Sequence, residues 1–212
     1  MILTGATASN VIGLKWGNEM KKILLAGLLT FLFTAISGCG PIVGQLMRLS
    51  EGVKEFRVVE GDLSLLRDKK NLLVLGPFSI SENAYYFSRG DDAAFMTAAM
   101  KEAKKFETTE LYVGPKFRIS NELTELKKKS PEVIKKELDL ETAPDLLMYG
   151  TITERETIVA PARGIIMLLG YKLEFVDIDR KRNLVIEIKV KDHLKNVVET
   201  AANEIIKRTK EI

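Results

Sequence analysis

The chain of 212 residues is poor in the residues that most chemistry needs. It has one cysteine, Cys39, so no disulfide can form within it. It has one histidine, His193, which excludes a histidine metal cluster and any pairing of two imidazoles. His193 stands where extended periodicity gives way to helical periodicity and is read as structural. Gly76 and Gly114 are each followed by proline, so neither opens a phosphate-cradling loop. Asp177-Ile178-Asp179 has too few neighbouring oxygen ligands for a calcium site and is read as a strand end entering a turn. Charge of one sign is also missing. Beyond residue 38 there are 29 Lys and Arg against 28 Asp and Glu, which excludes the concentrated basic face that nucleic acid requires. No catalytic group, cofactor site or metal site is therefore expected. Arg180-Lys181-Arg182 is read as a solvated hairpin tip, with contact to lipid headgroups as the alternative.

Long apolar runs are equally scarce. The one that counts is Ile23 to Ile36, preceded by Met20-Lys21-Lys22 and followed by Ser37-Gly38-Cys39. Positive charges, a short apolar run and small residues before a cut are the parts of a secretory signal. Ile36-Ser37-Gly38-Cys39 resembles the lipobox of bacterial lipoproteins, and that resemblance implies cleavage before Cys39 and its acylation, with palmitate among the attached chains. Cys39 is thus the candidate lipidation site, and the membrane is a partner through its lipid. A short transmembrane helix with an incidental cysteine is the competing reading. The lipoprotein resemblance also implies outer-membrane sorting, because Gly40 and not aspartate follows the cysteine. Residues 1–19 read as a leader upstream of a start at Met20, or as a long n-region.

The expected organisation is residues 1–19 leader, 20–38 signal peptide, 39–70 tether and edge segment, and 71–212 a single α/β domain. Leu72 to Leu75, ended by Gly76-Pro77, reads as a strand buried on both faces and stopped by proline. Asp91 and Asp92 are placed to cap a helix of about sixteen residues, the spacing taken from the apolar recurrence Phe95, Met96, Ala99, Met100, Ala103 and Phe106. Leu111 to Val113 is a second strand, so a parallel crossover is predicted. Ser120 to Lys129 and a restart at Ser130-Pro131 give two short helices, with Val133, Ile134 and Leu138 as the buried stripe of the second. Leu146 to Val159, Ile165 to Ile178 and Leu184 to Lys191 form an antiparallel meander, and a helix from about Asp192 to Lys210 closes the chain. A weak edge strand near Phe56 to Val59 and a turn of helix capped by Asp62 precede the body. The fold class is therefore α/β (α+β), a mixed sheet of about five strands with helices packed on it.

Ala143-Pro144-Asp145-Leu146-Leu147-Met148-Tyr149-Gly150-Thr151-Ile152-Thr153-Glu154, followed by Tyr171-Lys172-Leu173-Glu174-Phe175-Val176-Asp177, resembles bacterial envelope proteins. These share the α/β domain of the TolB N-terminus, of CsgG-like curli-secretion lipoproteins and of LpoB-type activators of cell-wall synthases. The resemblance implies a lipid-anchored periplasmic protein without enzymatic activity, acting as an adaptor or assembly factor for an envelope complex. The alternative is a subunit of a multimeric CsgG-like export channel, a homo-oligomer, although the meander has too few strands for the membrane-spanning hairpins of such a pore.

Overall fold

The computed structural model describes residues 51–68, 70–84, 91–115, 119–160 and 164–212; the signal segment and Cys39 lie outside them. Glu51 to Ile212 form one compact unit. Its six strands among the described residues are β1 (Gly52–Glu60), β2 (Asn71–Ile80), β3 (Thr108–Val113), β4 (Leu146–Ala160), β5 (Gly164–Asp177) and β6 (Arg182–His193). The helices are α1 (Asp92–Glu102), α2 (Ile119–Leu126), α3 (Pro131–Leu138) and α4 (Val197–Lys210). The strands lie in the order β1-β6-β5-β4-β2-β3. β2 is parallel to β3 and to β4, whereas β4-β5-β6-β1 is antiparallel throughout. The mixed α/β sheet is as expected, with six strands where about five were predicted.

Side-chain alternation divides the sheet into two unequal faces. Leu72, Val74, Leu146, Met148, Leu173, Phe175, Ile186 and Ile188 point to the face covered by α1 and α4. Leu73, Leu75, Leu147, Tyr149 and Val176 point to the other, where α2 and α3 bring Leu123, Leu126 and Ile134. β6 alternates as the sequence Leu184 to Val190 alternates apolar with mostly charged residues, although Val185 on the outer face is buried too. Leu184, Ile186, Ile188 and Val190 are fully buried, and the opposite positions Glu187, Lys189 and Lys191 remain partly accessible.

Several local expectations are corrected. β1 pairs with β6 from Gly52↔Lys191 onward, so the compact unit starts at Glu51 and not at Asn71. β2 continues through Pro77 to Ile80 and is not stopped by it. The missing N–H does no harm there, because the pairing with β4 is irregular between Leu75 and Ser79 and resumes at Ser79↔Thr151. Gly150 on β4 is required by the same stretch: a Cβ there would lie 2.6 Å from the Phe78 ring. α4 starts at Val197, not near Asp192, because β6 runs on to His193 and pairs it with Ile166. On α3, Ile134 is buried as predicted, but Val133 is exposed.

The ends of the strands are fixed by polar side chains. The Asp62 carboxylate accepts from the Ser64 N–H at 2.8 Å, the predicted cap. Asp145 Oδ2 accepts from the Asn71 N–H at 2.8 Å and so aligns the start of β2 with that of β4. Asp177, at the end of β5, accepts from the Lys70 ammonium at 2.5 Å and from the Arg180 N–H at 2.8 Å. Burial pushes the Asp177 carboxyl upward, but these two hydrogen bonds and the lysine charge outweigh it and hold the group below the usual carboxylate range.

Candidate interaction surface

The candidate site begins with α1. Asp91 and Asp92 do stand at its start, but neither acts as the predicted side-chain cap, since the Asp91 side chain makes no capping bond and that of Asp92 turns inward. Asp92 lies between Arg155 of β4 and Tyr171 of β5. Arg155 donates from one guanidinium nitrogen to both Asp92 oxygens at 2.8 Å, and the Tyr171 hydroxyl donates to Oδ1 at 2.7 Å. The ionic side chains are only 8% and 6% exposed, so the pair is shielded from water. Burial, and next the Asp92 charge, push the Tyr171 hydroxyl well above its ordinary pKa, so it remains a donor.

This polar staple lies on the buried side of α1. With Asp92 held inward, the buried stripe becomes Asp92, Ala93, Met96, Thr97, Ala99 and Met100. Phe95, predicted to be in the core, is 58% exposed. The helix also ends at Glu102, short of the predicted sixteen residues, and Lys104 takes a positive φ of 51° that turns the chain toward β3.

Phe95 forms the waist of an apolar groove between α1 and the start of α4. It shares that position with Leu194, 42% exposed in the turn before α4, and with Val198. On one side lies a depression of about 420 Å³ floored by Met167, Ile165 and Val197, with the staple at its base. On the other lies a second depression of about 420 Å³ bordered by Ala98, Ala99, Glu102, Lys195 and Glu199. Val159, 77% exposed, pairs with Ile165 and extends the apolar area along the β4–β5 hairpin. Charge on the rim is lopsided. Asp92 is matched by Arg155, leaving Asp91, Glu102 and Glu199 against Lys195. Asp91, Glu102 and Glu199 make no ion pair among the described residues.

The opposite face of the β1-β6-β5 half also has a concavity, of about 520 Å³, in which Glu55, Glu154, Glu187 and Lys189 are held in ion pairs. Lys189 binds Glu154 at 3.1 Å and Glu55 at 3.8 Å, and Arg57 binds Glu187. A β-bulge at Thr153 shapes its floor. Gly170 faces that bulge, where a Cβ would meet Thr153 Oγ1 at 2.7 Å.

The residues singled out from sequence are not brought together. His193 ends β6, where its N–H meets the Asp192 carboxylate at 2.6 Å. Asp177 is committed to Lys70, and Arg180-Lys181-Arg182 sit at the β5–β6 turn, at the other end of the sheet from the groove. No group of three or more potential metal ligands occurs among the described residues. Cys39 lies outside them. The groove itself was not foreseen; its one sequence signal was an aspartate pair opening α1, which can serve as either a cap or an ion partner.

No family model matches the chain, and no curated protein does. Among solved structures, the PelC dodecamer from Paraburkholderia phytofirmans is similar at 11% identity and a TM-score of 0.43, over 73% of this chain and 93% of that one. A point variant of that dodecamer gives 13% identity and the same TM-score of 0.43, over 74% and 95%. A hypothetical protein from Chlamydia trachomatis gives 14% identity and a TM-score of 0.32, over 68% and 93%.

Proposed function

We propose that this protein is an exported lipoprotein anchored to the outer membrane through acylated Cys39. Its α/β domain, facing the periplasm, serves as a non-enzymatic adaptor or assembly factor in an envelope complex. The observation that carries the reading is Ile36-Ser37-Gly38-Cys39 directly after a two-lysine, short-apolar signal, with that cysteine the only thiol in the chain. A diacylated anchor is physically sufficient: each buried methylene contributes about 0.8 kcal/mol, and two chains hold where one holds marginally. The domain supports recognition in place of chemistry, because the buried acid, base and hydroxyl of the staple are committed to one another.

The test is metabolic labelling with palmitate, followed by fractionation of wild type and Cys39→Ser. The wild type should take up label and sediment with outer membranes, and the variant should do neither after a high-salt wash. Unlabelled wild-type protein, or label retained by the variant, would end the lipoprotein reading. Sedimentation with inner-membrane markers would end the leaflet assignment. A ring with membrane conductance would replace the adaptor with the export-channel subunit.

A further inference from the structure

We propose that the groove between α1 and α4 is the docking site for an amphipathic segment of a partner protein, one with an apolar face and basic flanks. This deepens the adaptor reading and rests on it for its biological setting. Two features specify the occupant. The floor is apolar and continuous across the Phe95–Leu194 waist, with a depression on either side, so two apolar anchors of one segment can seat at once. Among the described residues the rim carries three carboxylates against one ammonium, so a segment with Lys or Arg beside its anchors is favoured and an acidic one repelled.

The exposure of Phe95 is built in. The helix is rotated by the Asp92–Arg155–Tyr171 staple, and an aromatic that could have entered the core is held at the surface. Aromatic residues, Phe included, are enriched at protein interfaces, and the residues that dominate binding cluster near an interface's centre. The same carboxylates argue against an anionic lipid surface as the occupant, since such surfaces attract basic segments.

The test uses the full chain held in phosphatidylcholine nanodiscs, with empty nanodiscs as the blank. The probes are two fluorescein-labelled helical peptides with identical leucine positions, one with lysine and one with glutamate at every polar position. Fluorescence anisotropy should show the Leu/Lys peptide binding above the blank and the Leu/Glu peptide binding at least about tenfold more weakly. Phe95→Ser should weaken the Leu/Lys peptide about tenfold, and Glu102→Lys with Glu199→Lys should reverse the preference. All three positions are exposed, so circular dichroism should show unchanged folding. Equal binding of the two peptides, no binding above the blank, or indifference to Phe95→Ser would overturn the proposal. Mass analysis of Cys39 in the same preparation keeps the two readings apart: binding by a chain without acyl groups would retain the groove and remove the anchor.

Discussion

Cutting the Asp92–Arg155–Tyr171 staple tests whether a buried polar network sets the position of α1. Asp92→Ala removes the Asp92 carboxylate from the Arg155 guanidinium, which is 6% exposed. Removing one partner of a buried pair costs about 3–5 kcal/mol, a large share of a typical total stability of about 5–15. Tyr171→Phe keeps the edge-on contact with Phe78 at 6.1 Å between ring centres and removes one hydrogen bond to a charged group, a loss of about 1.5–3 kcal/mol. Replacing both ions, Asp92→Ala with Arg155→Met, removes both members of the pair together and should cost less than the sum of the single changes, with a coupling of about 0.5–3 kcal/mol. Urea denaturation of the three single variants, Asp92→Ala, Arg155→Met and Tyr171→Phe, and of the double variant at constant m-value measures this. Additivity of the Asp92 and Arg155 changes within about 0.5 kcal/mol, or a loss below about 1 kcal/mol for Asp92→Ala, would refute the staple.

Three further outcomes follow from the same geometry. Ile186→Ala or Ile188→Ala should destabilise by about 2–5 kcal/mol, whereas charge reversal at Glu187 or Lys189, in exposed ion pairs, should cost at most about 1; urea titration separates them. The Asp177 carboxyl is held below its unfolded value, so it adds stability above about pH 4 that is lost as pH falls through the lowered folded value; the gap between wild type and Asp177→Asn should therefore close on acidification, read from denaturation midpoints between about pH 6 and pH 2. Gly150→Ala drives a methyl into the Phe78 ring and should destabilise by about 1–3 kcal/mol by urea denaturation, and the same change paired with Phe78→Leu should recover part of that loss.

What the sequence made legible was whatever a single period decides. The alternation along Leu184 to Lys191 gave both the strand and its buried face, because an error of one residue would turn every isoleucine outward. The break at Ser130-Pro131 separated α2 from α3, because proline suits only the first turn of a helix. What was illegible depends on partners distant in sequence. Pro77 should stop a strand on local grounds, and it is tolerated only because the opposing strand is out of register there. The extension of β6 to His193 depends on Ile166, which has no local signature in residues 190–196.

Phe95 carries this distinction into function. Helical periodicity cannot fix the rotation of α1, because Phe95 and Met96 are adjacent and either can begin an apolar stripe. Asp92 decides between them: its bonds to Arg155 and Tyr171, 63 and 79 residues away in sequence, place it inward and so place Phe95 outward. A buried charge pair contributes little net stability against an apolar replacement of the same shape. Its physical consequence here is selection of one rotation over the other, and that rotation is what opens the groove. Apolar residues at positions 92 and 155 that keep the fold at equal stability should therefore still impair binding of the Leu/Lys peptide, because α1 would be free to turn Phe95 toward the core. Wild-type affinity in such a variant would show that packing alone sets the helix and that the staple has no part in forming the groove.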